Sequence, residues 1–198
     1  LTMTAGLSSP TASGGSTTTY TYDHFGNVLS ETDATGAAET YSYSITGCLI
    51  SKTNRNGITE RYSYDALGRL IGYNTGVEIF ANIYSKTGAL IGELSGKILS
   101  TTIPVLQRTE YSYDSWGRLA QVVYSDFGAE GTTNVTAATP QISYTTQYTH
   151  DLAGNRTNMT VQMGDVQVQN VTYTYDTLNR LSTVTEDGAL KATYTYDT

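Results

Sequence analysis

The chain has 198 residues, with 17 tyrosines against three phenylalanines and one tryptophan. Apolar types make up 38% and charged types 15%, and the net charge is −7. This composition excludes a disordered tail, which carries more charge and fewer aromatics, and it disfavours a nucleic-acid surface, which needs clustered Lys and Arg. Thr and Tyr favour strands and rank low in helix propensity, so the composition predicts an all-β chain.

Other sequence features bear on the cellular compartment of the protein and on the ends of the chain. No apolar run approaches the roughly 18 residues of a membrane-spanning helix. Residues 1–15 lack the basic start and apolar stretch of a signal peptide. The single Cys48 excludes an internal disulfide framework and leaves the compartment open. The sequence ends inside a recurring motif at Tyr196-Asp197-Thr198, so we expect it to be a piece of a longer polypeptide.

One motif, Tyr-x-Tyr-Asp-x-x-Gly-Arg/Asn-Leu, recurs along the chain with a basic period of about 21 residues. The two tyrosines of Tyr-x-Tyr lie on one face of a strand because side chains alternate. The Asp can accept hydrogen bonds from the backbone two residues on, and Gly or Asn three residues later suits a left-handed turn position. Each copy, called a cassette below, therefore predicts a β-hairpin, and Gly-containing turns such as Asp33–Gly36, Asn54–Gly57 and Ser95-Gly96 separate successive cassettes.

The motif predicts seven cassettes and a truncated eighth. Their structural anchors are Tyr20, Tyr22, Asp23, Gly26, Tyr41, Tyr43, Gly47, Tyr62, Tyr64, Asp65, Gly68, Arg69, Tyr84, Gly88, Tyr111, Tyr113, Asp114, Gly117, Arg118, Tyr148, Asp151, Gly154, Tyr173, Tyr175, Asp176, Asn179, Arg180, Tyr194, Tyr196 and Asp197. Residues 1–17 form a poorly patterned N-terminal segment, and residues 18–198 form the repeat sheet. Insertions at about 97–110 and 125–147 are expected to be longer hairpins or loops on one rim.

The hairpins are expected to join into one long, curved, antiparallel sheet. Two strands per repeat, at about 4.8 Å per strand, separate equivalent tyrosines by about 9–10 Å. The tyrosines of adjacent repeats should therefore not stack on each other. Apolar side chains of the intervening strand should lie between them, and the candidates are Leu29, Ile50, Ile71, Ile91 and Val184.

The repeated polar residues allow a chemical interpretation and a structural one. The motif aspartates could bind Ca²⁺, but each turn supplies one carboxylate, so turn capping is favoured. Arg69, Arg118 and Arg180 could line an anion-binding stripe, but pairing with acidic residues of neighbouring hairpins is favoured on a chain of this charge. A Cys48–His24 catalytic pair lacks an orienting third group. We predict no catalytic residue, no metal site and no cofactor.

The tyrosine rows could present rings to a sugar or a peptide, although sheet packing is favoured because every repeat has them. Aromatic residues outside the repeated pattern are the better candidates for ligand contact. They are Tyr73, Phe80, Trp116, Tyr124, Phe127 and Tyr144.

The cassette resembles the YD repeat, also called the Rhs repeat. The segments 62–70 and 111–119 match its consensus at every anchor, and the resemblance runs from about residue 18 to the last residue. Relatives include bacterial Rhs polymorphic toxins, the C component of Tc toxins, wall-associated proteins and teneurins. The resemblance implies a sheet that spirals into a hollow shell, which encloses a C-terminal toxin or displays binding surfaces at the cell exterior.

This resemblance implies a non-enzymatic structural segment that is secreted or surface-exposed, and whose partners are the rest of a longer polypeptide and its C-terminal effector. The alternative is an adhesion module that recognises glycans or a partner protein. The family's Asp-Pro-rich closing motif has no counterpart, because Pro occurs only at 10, 104 and 140 and none follows an Asp. With seven cassettes, we expect an open sheet that forms part of a shell.

Overall fold

The computed structural model of the protein describes the backbone of residues 2–6 and the residues 17–97, 104–128, 131–134 and 136–197. All regular secondary structure in these ranges is β, in 16 strands whose order follows the chain. The chain divides into two compact units, Leu1–Ala81 and Asn82–Thr198. In both units, successive strands form antiparallel hairpins, which confirms the fold class predicted from the sequence.

The strands of the first unit are short. They are β1 (Thr2–Gly6), β2 (Thr17–Tyr22), β3 (Val28–Thr32), β4 (Ala38–Tyr43), β5 (Leu49–Thr53), β6 (Thr59–Tyr64) and β7 (Leu70–Asn74), followed by β8 (Glu78–Tyr84), which begins in this unit. β1 pairs with β2 from Thr2↔Thr21 to Gly6↔Thr17, so the sheet begins inside the segment that carried no repeat pattern. The sequence gives no signal for β1 because it contains none of the cassette anchors.

The strands of the second unit are longer. They are β9 (Leu90–Lys97), β10 (Val105–Tyr113), β11 (Leu119–Asp126), β12 (Ile142–His150), β13 (Arg156–Met163), β14 (Val166–Tyr175), β15 (Leu181–Glu186) and β16 (Ala189–Thr193). The prediction of a turn at Ser95-Gly96 is wrong, because both residues lie in β9. Gly96 pairs there with Val105, and Ser95 pairs with Gln107. Much of the insertion at 97–110 is thus strand β10.

The cassette turns share one backbone geometry. The N–H of Asp65 donates to the carbonyl of Arg69 at 3.0 Å, and the N–H of Gly68 donates to the carbonyl of Asp65 at 3.0 Å. Gly68 has φ +77°, and Asn179, which replaces Gly in the seventh cassette, has φ +60°. This left-handed position explains why only Gly and Asn occupy it. The intervening turns at Asp33 and Asn54 have the same pattern, whereas at Thr75 a shorter turn is closed by the N–H of Thr75 donating to the carbonyl of Glu78 at 3.0 Å.

A β-bulge follows six of the cassette turns and shifts the strand register. Tyr64 pairs with Leu70, but Ser63 pairs with Gly72, so Ile71 is an extra residue in β7. The same shift occurs next to Tyr22, Tyr43, Tyr113, His150 and Tyr175. Leu29, Ile50 and Ile71 occupy such bulges. Ile50 and Ile91 line grooves together with the two tyrosines of the following cassette. Val184 pairs with Tyr173.

Aromatic contacts follow adjacent strands rather than equivalent positions. In the first unit Tyr73 stacks between Tyr62 and Phe80, with ring centroids 6.0 and 4.7 Å apart. Among the described residues the remaining tyrosine–tyrosine contact joins Tyr20 and Tyr22 of one strand, 6.4 Å apart. The cassette tyrosines of successive repeats make no ring contact in these ranges, as the strand spacing predicts.

Few side chains are fully buried. Among the described residues, the large apolar side chains below a tenth exposed are Phe127 and Val171, each at 6%. Most strand residues are half-buried. The hairpins are therefore held together mainly by backbone ladders, cross-strand pairs and the polar contacts of the turns.

Candidate functional site

The side chain of each motif aspartate closes its own turn. Oδ1 of Asp65 accepts the N–H groups of Leu67 and Arg69, at 2.9 and 3.0 Å. Oδ2 of Asp65 accepts Nε of the same Arg69 at 2.6 Å. The backbone N–H of Arg69 is the main cause that lowers the pKa of Asp65, and the Arg69 guanidinium adds to it against the opposing effect of desolvation.

The same arrangement recurs with Arg118 on Asp114 and Arg180 on Asp176, at 2.7 and 2.8 Å. The favoured interpretation, that these arginines pair with acidic residues of neighbouring hairpins, is therefore wrong. They pair inside their own turns, because the fifth turn residue faces the first across the closing hydrogen bonds. Where this fifth residue is Asn27 or Asn155, its side-chain Nδ2 donates to Oδ2 of the motif aspartate instead, at 2.9 and 3.0 Å.

Two cassettes carry Ser in place of Asp, and the fifth residue changes with it. Oγ of Ser44 accepts the N–H groups of Thr46 and Cys48 at 3.2 and 3.1 Å. Oγ of Ser85 accepts the N–H of Ala89 at 3.1 Å. A hydroxyl has no second carboxylate oxygen to satisfy, so the fifth residue needs no polar side chain. This explains why Cys48 and Ala89 stand where the Asp cassettes have Arg or Asn.

The long fifth residues also reach the next cassette. Nη1 of Arg118 donates to the carbonyl of Asp151 at 2.8 Å, and Nδ2 of Asn155 donates to Oδ1 of Asn179 at 3.1 Å. The guanidinium of Arg180 lies over the ring of Tyr196, 4.4 Å from its centroid. This position therefore links consecutive hairpins, a role that the sequence pattern did not reveal.

The second tyrosine of a cassette makes another link between repeats. The hydroxyls of Tyr113, Tyr175 and Tyr196 donate to the carbonyls of Leu90, Arg156 and Leu181, at 2.9, 2.7 and 2.7 Å. All three acceptors are the first residue of the return strand in the preceding cassette. At Arg156 and Leu181 this residue adjoins the bulge, where the ladder is disrupted and a carbonyl needs another donor.

The first tyrosine of several cassettes donates to a glutamate. The hydroxyls of Tyr41 and Tyr62 donate to Glu39 and Glu60 at 2.8 and 2.6 Å, and that of Tyr111 donates to Glu93. Hydrogen bonding to Glu60, followed by burial, raises the pKa of Tyr62 to about 12. The same two causes raise the pKa of Tyr111 to about 12. For Tyr41 burial comes first and the bond to Glu39 second, and the pKa is again about 12.

The residues predicted to contact a ligand are scattered through both units. The prediction that Phe127 contacts a ligand at the surface is wrong, because only 6% of this residue is exposed. The N–H of Phe127 donates to the carbonyl of Leu106 at 2.8 Å. Tyr73 and Phe80 belong to the aromatic stack of the first unit. Tyr124 and Tyr144 are cross-strand partners in β11 and β12.

Trp116 is 77% exposed at the tip of its cassette turn. The same turn position holds Phe25, Leu67 and Leu178, which are 75%, 79% and 68% exposed. Trp116 is therefore one of four exposed apolar residues at this position of their cassette turns.

Metal-ligating clusters are not found in the described ranges, where no group of three His, Cys, Asp or Glu side chains converges. The motif aspartates each direct both carboxylate oxygens into their own turn, so they do not converge. Within the same ranges no helix is long and apolar enough to cross a membrane.

Shallow grooves lie between consecutive cassettes on the tyrosine-bearing face. The volume is about 750 Å³ beside Ala89, 600 Å³ beside Cys48, 370 Å³ in the Asn155 cassette and 290 Å³ beside Arg118. The grooves lined by the short side chains of Cys48 and Ala89 are larger than the one lined by Arg118.

The repeated cassette has a counterpart among known families. The sequence profile of the RHS repeat matches residues 7–38 and 43–77. These two segments therefore resemble RHS repeats in sequence. The matched segments cover the first and third cassettes and most of the second, and described cassettes further along repeat the same turn and bulge geometry.

Comparisons of the whole chain add less than the RHS-repeat match. No curated protein matches the sequence. Among solved structures, the crystal structure of TcdB2-TccC3-TEV has 20% identity and a TM-score of 0.49, over 92% of this chain and 12% of that one. TcdB2-TccC3 has 17% identity and a TM-score of 0.49, over 93% and 14%. A porin-like protein from Bacteroides uniformis has 11% identity and a TM-score of 0.38, over 96% and 91%.

At these TM-scores the structural likenesses decide neither fold nor function. The chain spans about an eighth of the length of the TcdB2-TccC3 structures that it resembles. The likeness of this chain to RHS repeats therefore depends on the sequence match over residues 7–38 and 43–77 and on the recurring geometry of the cassettes.

Proposed function

We propose that this chain is a wall segment of an RHS-repeat shell that encloses or presents a C-terminal effector of a longer polypeptide. The observation that carries the proposal is the way in which each cassette is linked to the next. The fifth turn residue and the second tyrosine both form hydrogen bonds to the adjacent cassette. Arg118 donates to the carbonyl of Asp151, and the Tyr175 hydroxyl donates to the carbonyl of Arg156. An element with links only to its neighbours can be extended repeat by repeat, as a wall requires.

The polar groups of the cassettes support a structural role rather than catalysis. The carboxylates of the motif turns are engaged by backbone N–H groups and by the fifth residue. Neither His24 nor Cys48 has an arrangement of base and orienting group around it in the described residues. The His24 ring contacts the ring of Phe25 at a tilt of 42°, and Cys48 accepts a weak hydrogen bond from Thr46. A shell of this family would act outside the producing cell, so we also propose a secreted or surface location.

Protection of the downstream sequence tests the proposal. The full reading frame that contains these 198 residues would be expressed and treated with a nonspecific protease. A shell predicts that the effector segment resists cleavage while the folded repeats are intact, and becomes sensitive when they are unfolded in urea. A matched fusion with the repeats deleted gives the unprotected rate. Equal cleavage rates for the intact protein and the deletion would refute enclosure.

A turnover assay tests the structural assignment separately. The purified 198-residue chain is expected to show no hydrolase activity above that of a heat-unfolded sample. Robust turnover that a single substitution abolishes would overturn the non-enzymatic assignment, whatever the outcome of the protease experiment.

A further inference from the structure

Two grooves on the tyrosine-bearing face are lined by residues at equivalent positions of their cassettes, although they lie in different units. One is lined by Ser44, Cys48, Ile50, Tyr62 and Tyr64. The other is lined by the equivalent residues Ser85, Ala89, Ile91, Tyr111 and Tyr113. We call them the Cys48 groove and the Ala89 groove. Each lies between a Ser cassette and the Asp cassette that follows it.

The chain itself shows what fills this place in another cassette. In the seventh cassette the guanidinium of Arg180 lies over the ring of Tyr196, which is the second tyrosine of the next cassette. Tyr64 and Tyr113 occupy the same position relative to Cys48 and Ala89, whose side chains are too short to reach a ring. Tyr64 is half-buried and Tyr113 is 38% exposed, and neither has the cation that lies over Tyr196, although an aromatic face attracts a cation.

Charge near the two grooves favours a cation further. Tyr62 donates to Glu60, and Tyr111 donates to Glu93. Neither glutamate is in an ion pair with a described residue. Glu39, which accepts the equivalent tyrosine hydroxyl one cassette earlier, differs because Lys52 and Arg55 lie 3.2 and 3.7 Å from its carboxylate.

Lys52 stands opposite Glu60 in the strand register, but its ammonium pairs with Glu39. The net charge of −7 adds a general attraction for cationic partners. Both grooves thus combine an uncovered ring, a nearby carboxylate without an ion-pair partner and space for a planar group.

We propose that the Cys48 groove and the Ala89 groove each bind the guanidinium of an arginine side chain on a partner polypeptide, in the way that Arg180 covers Tyr196. The Ser cassettes are thereby docking positions in the repeat array, and the Asp cassettes with arginine as fifth residue are closed. A guanidinium fits better than an ammonium because it is planar and stacks on aromatic faces.

The test is an NMR titration of the 198-residue chain carrying ¹³C-labelled tyrosine, with signals assigned from single Tyr→Phe variants. The probe is N-acetyl-arginine amide, and N-acetyl-citrulline amide is the neutral control of the same shape. We expect saturable shifts of the ring signals of Tyr64 and Tyr113 with the arginine probe in the millimolar range, at least threefold weaker binding of citrulline, and no shift at Tyr196. Equal responses to both probes, or an equal shift at Tyr196, would overturn the proposal.

Matched variants close one groove at a time. Ser44→Asp with Cys48→Arg is expected to abolish the Tyr64 response and leave that of Tyr113, and Ser85→Asp with Ala89→Arg is expected to do the reverse. A variant that loses strand structure by circular dichroism is replaced by Glu60→Gln, which should weaken the Tyr64 response alone. A titration with maltose separates a sugar platform: sugar-induced shifts at Tyr64 and Tyr113 as large as those from arginine would refute a cation site.

Discussion

The hydrogen bond from the second tyrosine to the preceding cassette makes a prediction that the chain can test with its own control. Tyr175 and Tyr173 lie two residues apart on β14, and both rings are half-buried. The Tyr175 hydroxyl donates to the carbonyl of Arg156 at 2.7 Å, whereas the Tyr173 hydroxyl has no hydrogen-bond partner among the described residues. Substitution of either by Phe removes one oxygen and keeps the ring.

The magnitude follows from the bond and its exposure. A neutral hydrogen bond contributes about 0.5–1.5 kcal/mol net to the free energy of unfolding. The Tyr175 bond lies at an exposed site, where water can replace the lost donor, so Tyr175→Phe should cost about 0.5–1 kcal/mol. Tyr173→Phe should stay within about 0.5 kcal/mol of wild type.

Three such bonds act together when all are removed. Tyr113, Tyr175 and Tyr196 donate to different carbonyls and share no partner, so their effects should be nearly additive. The triple Phe variant should lose about 2 kcal/mol, equivalent to about 4–8 °C in Tm for a chain of this size. Hydrogen exchange of the neighbouring strands should show the loss locally, because repeat arrays unfold in segments.

The assay is equilibrium urea unfolding followed by circular dichroism, with thermal unfolding as a second measurement. Tyr173→Phe and Tyr175→Phe are compared at equal protein concentration. An equal loss in both variants would show that ring packing, not the link to Arg156, determines the effect. No loss in the triple variant would refute the claim that the tyrosine hydroxyls hold consecutive cassettes together.

The remaining predictions concern burial and titration. Phe127→Ala should cost about 3–5 kcal/mol because Phe127 is 6% exposed, whereas Trp116→Ala, at 77% exposed, should stay within about 0.5 kcal/mol; urea unfolding of the pair would contradict this by giving equal losses. The motif aspartates, such as Asp65, have folded pKa values below 3.8, so their stabilisation is present above pH 3.8 and is lost as the pH falls through the folded pKa; a Tm that stays flat from pH 5 to pH 2 would argue against it. The pKa of Tyr62 is raised to about 12, so the stabilisation from this residue is present below pH 10 and is lost between pH 10 and 12. Ultraviolet titration should show that Tyr62 ionises at a higher pH than an ordinary tyrosine, and Glu60→Gln should lower that pH. An unchanged titration in Glu60→Gln would show that the bond to Glu60 does not raise the pKa.

The local structure of the cassettes was predictable because it depends on residues close in sequence. Alternation places the two tyrosines of Tyr62-Ser63-Tyr64 on one face, and an Asp followed three residues later by Gly or Asn specifies a turn with one left-handed residue. Asn179 at φ +60° shows that the inference from residue type to backbone angle holds even without glycine. These features require no knowledge of what lies on the next strand.

The partners of the polar side chains were not predictable in the same way. Arg69, Arg118 and Arg180 were expected to reach neighbouring hairpins, but the closing hydrogen bonds of the turn bring the fifth residue back onto the first. The bulge was also missed, and it leaves Ile71 as an extra residue in β7 without a paired residue on β6. A shift of one residue changes which side chains face each other, and strand alternation alone does not reveal it.

The sequence by itself determined that this protein is a tandem array of β-hairpins with tyrosines on one face, because turn chemistry and strand alternation are local properties. Only the tertiary structure decided how each hairpin is joined to the next. The bonds from Tyr175 to Arg156 and from Arg118 to Asp151 join residues 19 and 33 positions apart, and they depend on the register of every intervening strand. The open grooves beside Cys48 and Ala89 follow from the same cause, because a short side chain becomes a groove only where the next cassette places a tyrosine ring opposite it.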